Sequence, residues 1–300
     1  MVTRPDAQPV RTEAGRGLLG HALSFPRLLL ILGIVALVVP TLLSLASDYW
    51  STDNGVHGPI LLATGAWLLW RERVFIAANE RAVRSAGPVL VLLPLLLLYV
   101  YGRALHVLTA ETAALYLVLV VVAFAAWGAT VMRHLWFPVL YLAFLIRPPS
   151  GLIAETTQPL KIWISATAAW LLREFGYAIA SSGVTIQVDQ YELMVQQACA
   201  GLGSIFSLLA IGLLYLHLVS RARGWTRGFL LLAIIPMAVL ANLLRVIILI
   251  LLTVHLGEGI AQGYAHQLAG MVTFGMSLAG LMALDLALGW FSALRRPRRA

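Results

Sequence analysis

The sequence predicts an all-α polytopic membrane protein with about eight transmembrane helices, a small extracytoplasmic interfacial helix and a β-hairpin. Composition is the first observation: 60 % of the 300 residues are hydrophobic and 11 % are charged, with a single cysteine. Soluble domains average roughly 45–50 % apolar and about 25 % charged residues. The other two observations are the long apolar runs and the uneven distribution of the arginines along the chain. A soluble enzyme, a disordered chain and a disulfide scaffold are therefore excluded.

The apolar runs define the predicted crossings. A helix needs about 20 mostly apolar residues to span the hydrocarbon core. Six runs are that long. Two shorter runs could also be core or re-entrant helices; they are counted as crossings because most basic residues then fall on one side of the membrane. The predicted crossings are residues 28–46, 58–70, 87–105, 112–132, 135–146, 199–220, 228–256 and 266–290.

The basic residues predict the orientation of these crossings. With the N-terminus in the cytoplasm, eight crossings place sixteen of the 21 Lys and Arg residues on the cytoplasmic side. The first outer loop, 47–57, contains Asp48 and Asp53 and no basic residue. This asymmetry follows the positive-inside rule. It predicts a multi-pass membrane protein with both termini cytoplasmic, and it explains the net charge of +8 without a nucleic-acid partner.

The same pattern predicts the domain organisation. Residues 1–27 are polar and form a disordered cytoplasmic tail, residues 28–294 form one transmembrane domain, and residues 295–300 form a basic cytoplasmic tail. The basic start before Leu28 resembles a signal peptide. The apolar run that follows is longer than the usual 7–15 residues or so of a signal peptide and is interpreted as a retained anchor.

The longest extramembrane segment, 147–198, is predicted to lie outside. An amphipathic helix over 159–177 would lie in the membrane interface. Its predicted apolar face consists of Ile162, Ile164, Trp170, Leu171 and Leu172. The alternation over 184–188, the turn residues Asp189 and Gln190, and the apolar run 193–195 then predict a hairpin that leads directly to Cys199.

Three chemically active side chains converge on the predicted outer face. Cys199 begins the sixth crossing, and His266 begins the eighth. Arg245 lies in the seventh crossing, roughly 27 Å from its inner end at Arg227, since a helix rises about 1.5 Å per residue. Ionisable groups inside apolar segments are costly and so mark candidate functional sites. His57, His106 and His255 are interpreted as ordinary interfacial histidines.

These three residues suit acyl transfer. A thiolate attacks an acyl carbon, and a cysteine at a helix start beside a cation has a lowered pKa in general. Arg245 could stabilise the thiolate or the oxyanion, and His266 could act as general acid and base. No cofactor or metal is expected, and the absence of a His-Glu-x-x-His motif argues against a zinc protease.

Other interpretations remain open at this point. The protein could be a transporter or a scaffold subunit of an exopolysaccharide export system, with Arg245 and Asp285 on an ion path and Cys199 a small apolar residue. Ser204 and His266 could instead form a serine dyad.

The motifs around these residues resemble those of the exosortase/archaeosortase membrane transpeptidases. Residues 198–204, with Cys199, Ala200 and Ser204, resemble the family's Ala-Cys-Ser-Gly-hydrophobic-x-Ser motif, with Ala200 where serine is common. Asn242 and Arg245 resemble the family's Asn-x-x-Arg, and His266 fits the third catalytic position. Further resemblance lies in Asp48-Tyr49-Trp50, His57-Gly58, residues 68–71, 147–149 and 159–160.

The resemblance implies a membrane cysteine peptidase and transpeptidase. Cys199 would be the nucleophile, Arg245 the oxyanion or thiolate stabiliser and His266 the general acid and base, with Asn242 and Ser204 in support. The implied partners are the lipid bilayer and secreted proteins that end in a Pro-Glu-Pro-like motif, a transmembrane helix and a basic tail. The implied location is the bacterial inner membrane, with the active site facing the periplasm. Cleavage would transfer the protein to an acceptor through a thioacyl-enzyme intermediate.

Overall fold

The structure, a computed structural model of the chain, describes residues 25–52, 55, 57–146, 149–188, 191–194, 201–220, 224–257, 259 and 264–294. Within these ranges the chain forms mainly α-helices, as predicted. The helices are α1 (Phe25–Asp48), α2 (Gly58–Arg71), α3 (Arg73–Asn79), α4 (Gly87–Ala104), α5 (Leu108–His134), α6 (Trp136–Leu142), α7 (Ser150–Glu174), α8 (Gly201–Leu218), α9 (Trp225–Leu256) and α10 (Tyr264–Leu294). The predicted tails 1–27 and 295–300 lie outside the described residues, except that α1 already begins at Phe25.

The described residues support the predicted crossings in part. Four helical segments are long and apolar enough to cross a membrane: Leu28–Asp48, Gly87–Ala104, Leu108–His134 and Trp225–Leu256. Shorter apolar helical segments are Trp136–Leu145, Leu208–Leu218 and Gly275–Trp290. The crossing predicted at 58–70 corresponds to α2, whose 14 residues span about 21 Å, less than the roughly 30 Å hydrocarbon core.

A buried polar cluster joins α1, α4 and α5. Glu111 of α5 is 3 % exposed. Its Oε1 atom accepts hydrogen bonds from the Thr41 hydroxyl of α1 and from Nη1 of Arg103 in α4, each at 2.8 Å. The Tyr99 hydroxyl lies 3.1 Å from the Thr41 oxygen. These bonds give a carboxylate in an apolar bundle the partners that its burial demands.

The three helices α8, α9 and α10 pack as an antiparallel set. At Gly212 of α8, an added Cβ atom would lie 3.0 Å from Cδ1 of Ile234 in α9. At Gly280 of α10, an added Cβ atom would overlap the terminal methyl group of Met237 in α9. These two close approaches set the register in which α8 and α10 lie along α9.

The segment after α6 contains a sheet that is larger than the predicted hairpin. Strands β1 (Ile179–Ser182), β2 (Thr185–Val188) and β3 (Tyr191–Met194) form an antiparallel sheet in the order β1-β2-β3. The hairpin prediction matches β2 and β3, whereas β1 was missed because Ile-Ala-Ser-Ser shows no clear alternation of apolar and polar residues. The predicted turn at Asp189 and Gln190 lies outside the described residues.

The predicted interfacial helix also differs in its bounds and in its buried face. Helix α7 begins at Ser150, nine residues before the predicted start. Ile164 and Leu172 are buried within the protein, whereas Ile162 is 41 % and Trp170 is 55 % exposed on its surface. Residues two apart lie about 200° apart on a helix, so the predicted face combined opposite sides. The buried face packs against Ile186 of β2 and Val246 of α9.

Candidate active site

Helix α9 carries two buried polar side chains one turn apart. Arg245 and Asn242 are each 6 % exposed, and their spacing of three residues places them on one face of the helix. Among the described residues, the buried Oδ1 atom of Asn242 has no hydrogen-bond partner. A buried acceptor of this kind is costly unless a group outside the described residues or a ligand supplies a donor. The two predicted residues thus form one polar patch on an otherwise apolar helix.

The register of α8 brings its N-terminus level with Arg245. Gly212 contacts Ile234 across the antiparallel pair. Gly201 lies eleven residues before Gly212, and Arg245 lies eleven residues after Ile234. Eleven residues are about three turns, so Gly201 and Arg245 lie at the same level and on the contacting faces. Cys199, two residues before Gly201, lies outside the described residues.

The register of α10 gives the level of His266. Gly280 lies against Met237, so Arg245, eight residues beyond Met237, lies level with position 272 of α10. His266 is six residues before that position, in the first turn of α10, and its backbone therefore lies about 9 Å further along the axis. The side chains of His266 and of Ser204, which is in the first turn of α8, are outside the described part of the structure.

Helix α7 and the sheet cover the part of α9 that follows Arg245. Val246 is fully buried and Ile250 is 2 % exposed. Both belong to a cluster that includes Ile164 of α7 and Ile186 of β2. Since Val246 adjoins Arg245, this apolar cluster excludes water from one side of the arginine. The same cluster holds the sheet, which precedes Cys199 in the chain, against α9.

His57, which the sequence placed among the interfacial histidines, lies within electrostatic range of Arg245. Burial lowers the pKa of His57, and the positive charge of Arg245 lowers it further. His106, in contrast, is exposed, and His255 lies 3.1 Å from the Tyr177 hydroxyl. The available signal was that His57 immediately precedes the second predicted crossing, at the same outer end as Cys199 and His266. Depth alone could not distinguish it from His106.

Comparison with known families identifies the family of this chain. The family model described as transmembrane exosortase (Exosortase_EpsH) matches residues 49–283, which is most of the chain. The chain belongs to the exosortase family. Neither the curated proteins nor the solved structures contain a match to it. The matched range includes Cys199, Asn242, Arg245 and His266, together with His57.

In this exosortase, Asp285, the acidic residue of the transporter interpretation, lies far from Arg245. The Tyr215 hydroxyl of α8 donates a hydrogen bond of 2.9 Å to Oδ2 of Asp285. Asp285 lies thirteen residues beyond the level of Arg245 on α10, a distance of about 20 Å along the axis. Arg245 and Asp285 therefore belong to opposite halves of the helical set. Among the described residues, no group of three or more His, Cys, Asp or Glu residues could hold a metal ion.

Proposed function

We propose that this exosortase is an integral membrane cysteine peptidase and transpeptidase. The observation that carries the proposal is that Arg245 is buried at the level of the α8 N-terminus. Helix α8 begins at Gly201, two residues after Cys199. Arg245 is 6 % exposed in an apolar helix. Burying a charged side chain there is costly, and such residues usually mark functional sites. A helix N-terminus and a guanidinium group both stabilise a thiolate. Asn242 adds an amide on the same face.

The reaction proceeds in two acyl-transfer steps. The Cys199 thiolate attacks the carbonyl carbon of the scissile peptide bond, and Arg245 stabilises the resulting oxyanion. The C–N bond breaks, and His266 donates a proton to the leaving amine, which leaves a thioester on Cys199. An acceptor nucleophile then attacks the thioester, its proton passes to His266, and the thiolate is released. No cofactor takes part in this scheme.

The substrates are secreted proteins that carry a C-terminal sorting signal. The signal comprises a Pro-Glu-Pro-like motif, a transmembrane helix and a basic tail, as the family resemblance implies. A substrate anchored by its own helix presents the motif at the membrane surface, which suits a candidate site at the end of a helical bundle. The membrane of the cell is thus a partner in the reaction, since it confines enzyme and substrate to two dimensions.

The proposed orientation places the site in the periplasm and both termini in the cytoplasm. We expect a reporter fused at residue 300 to be cytoplasmic and one inserted between residues 180 and 195 to be periplasmic, because cytoplasmic loops retain most of the arginines. The measurement is labelling of single-cysteine variants by a membrane-impermeant reagent in intact spheroplasts, in a Cys199→Ala background. Labelling at position 300 but not at position 189 contradicts the orientation.

The function is tested with the purified full chain in lipid nanodiscs. The substrate is a tagged secreted passenger ending in Pro-Glu-Pro, an apolar helix and an arginine tail; a passenger with a scrambled motif is the control. We expect cleavage at the motif and a covalent adduct between the passenger and the peptide that contains Cys199, both detected by mass spectrometry. Cleavage of the two passengers at equal rates, or an adduct that peptide fragmentation assigns to Ser204 and not to Cys199, contradicts the proposal.

A further inference from the structure

Residues 71–84, between α2 and α4, form an arginine platform that is fastened to a break in α5. Helix α5 is interrupted at Gly128, whose φ of 79° and ψ of 174° are not helical. The Arg81 N–H donates a hydrogen bond of 3.1 Å to the carbonyl oxygen of Trp127, beside the break. An added Cβ atom at Gly128 would lie 2.6 Å from the Arg81 carbonyl oxygen, so the close approach requires glycine. The end of the platform is therefore held against α5.

The length of α5 places the arginine platform at a membrane surface. Gly128 lies twenty residues after Leu108, the first residue of α5. Twenty helical residues rise about 30 Å, which matches the roughly 30 Å thickness of the hydrocarbon core. In the proposed orientation this end of α5 is cytoplasmic. The platform exposes four arginines there: Arg71, Arg73, Arg81 and Arg84.

A second attachment holds the start of the arginine platform on the end of α5. Nε2 of His134 donates a hydrogen bond of 3.0 Å to Oε2 of Glu72. The imidazole ring also stacks on the Phe75 ring, with the two centroids 3.9 Å apart. The hydrogen bond from His134 lowers the pKa of the Glu72 carboxyl group, which is ionised at neutral pH. The platform is thus fixed to α5 near both of its ends.

Two arginines of the platform stack on neighbouring tryptophans. The guanidinium carbon of Arg71 lies 5.6 Å from the centroid of the Trp67 ring, and that of Arg73 lies 3.9 Å from the centroid of the Trp70 ring. Trp67 and Trp70 are three residues apart on α2, so they share one face, with Cβ atoms about 5–6 Å apart. Both rings are exposed, as tryptophans at a membrane interface commonly are. Stacking therefore holds two cations side by side at the level of the lipid headgroups.

Most hydrogen-bond donors of these two guanidinium groups are unused. Nε of Arg71 lies 3.6 Å from Oε1 of Glu72, and Nη1 of Arg73 donates to the Trp70 carbonyl oxygen at 3.2 Å. Within the part of the chain that the structure describes, neither group has another hydrogen-bond or ion-pair partner. Glu80, the other acidic residue of the platform, is exposed. Adjacent cations repel each other unless an anion lies between them, and guanidinium groups bind phosphate through two parallel hydrogen bonds.

We propose that the arginine platform binds the phosphate group of an anionic phospholipid through Arg71 and Arg73. Their planar forks of donors match the phosphate oxygens. The exposed tryptophan rings and Val74, which is 73 % exposed, provide apolar surface for the acyl chains. In the proposed orientation the lipid belongs to the cytoplasmic leaflet. The inference goes beyond the proposed peptidase activity and does not depend on it.

Native mass spectrometry of the full chain in detergent tests this binding without a peptide substrate. The anionic probe is phosphatidylglycerol, and phosphatidylcholine with the same acyl chains is the zwitterionic control. Replacing the stacked pair, Arg71→Gln with Arg73→Gln, should weaken phosphatidylglycerol binding about tenfold or more, because each basic residue near a lipid surface adds a severalfold attraction. Arg81→Gln with Arg84→Gln removes the same charge from the same platform but no stacked guanidinium group, so the loss should be clearly smaller.

A lysine variant separates a shaped site from diffuse positive charge. Arg71→Lys with Arg73→Lys keeps the charge that favours the cytoplasmic side but lacks the planar forks, so its affinity should lie between those of the wild type and the glutamine pair. This variant also decides the question if the glutamine pair fails to insert.

Four results would overturn the proposal. They are equal binding of the two lipids by the wild type, equal losses in the two glutamine pairs, wild-type affinity in the lysine pair, and displacement of the lipid by an equal concentration of glycerol phosphate. The last result would identify a free phosphate ester, and not a lipid, as the ligand. Lipid retention is measured without substrate, so a failure of the proposed peptidase activity would leave this test unaffected.

Discussion

Cys199→Ala should abolish substrate processing while the protein still inserts and accumulates at the wild-type level. The thiol is the proposed nucleophile, and it is the only cysteine of the chain, so no other thiol can replace it. An alanine methyl group cannot form the thioester, and the remaining groups cannot provide a covalent route. The measurement is an immunoblot of a tagged substrate co-expressed with each enzyme variant, normalised to the amount of membrane-inserted enzyme.

The neighbouring position supplies a matched control for this variant. Ala200→Ser changes a small side chain for another small one beside the nucleophile and introduces the serine that is common in the family motif. We expect it to process the substrate at a rate close to that of the wild type. Normal substrate maturation in Cys199→Ala would contradict the enzyme proposal. It would favour the transporter or scaffold interpretation, in which Cys199 has no catalytic role.

Arg245→Lys should slow processing by about 10²–10³-fold in a protein that remains folded and inserted. Lysine retains the positive charge but lacks the planar fork of donors with which a guanidinium group binds an oxyanion. Arg245→Ala should be slower still, although its insertion can improve because a charge leaves the bilayer. A pulse-chase measurement of substrate cleavage at matched enzyme levels gives the rates.

The same helix offers a control for the arginine change. Arg227 lies at the opposite end of α9 and is exposed. Arg227→Lys makes the same chemical change about 27 Å away and should leave the cleavage rate unaltered. Near-wild-type cleavage in Arg245→Lys would assign Arg245 to packing or charge balance, and Cys199 and His266 would then lack an oxyanion partner.

Much of the helical architecture could be predicted from hydropathy because that signal is local. The runs at 28–46, 87–105, 112–132 and 228–256 all correspond to helices long and apolar enough to cross a membrane. The prediction was weaker for 58–70 and 135–146, where the helices are short. Helix α6 ends at Leu142 and is followed by a short 3-10 turn, Ala143–Leu145. Mean hydropathy cannot distinguish a short packed helix from a short crossing.

The candidate site could be predicted from the sequence only in part. Arg245 stood out because charged residues in an apolar run are rare, and Asn242 stood out through the family motif. The structure buries both on one face of α9. The roles of Cys199, Ser204 and His266 stay predictions that rest on the motif resemblance. The effect of Arg245 on His57 was not predicted, since a histidine next to a helix start has no local feature that reveals a charge distant in the sequence.

The sequence by itself determined the class of the protein, the positions of its main apolar helices and the polar residues that mark the candidate site. Those properties depend on composition and on spacing along a single segment. The tertiary structure decided which face of α7 is buried, that β1 adds a third strand, and that the charge of Arg245 acts on the pKa of His57. These outcomes depend on how separate segments pack, and close contacts such as Gly212 with Ile234 set the register between helices. No local pattern contains that register.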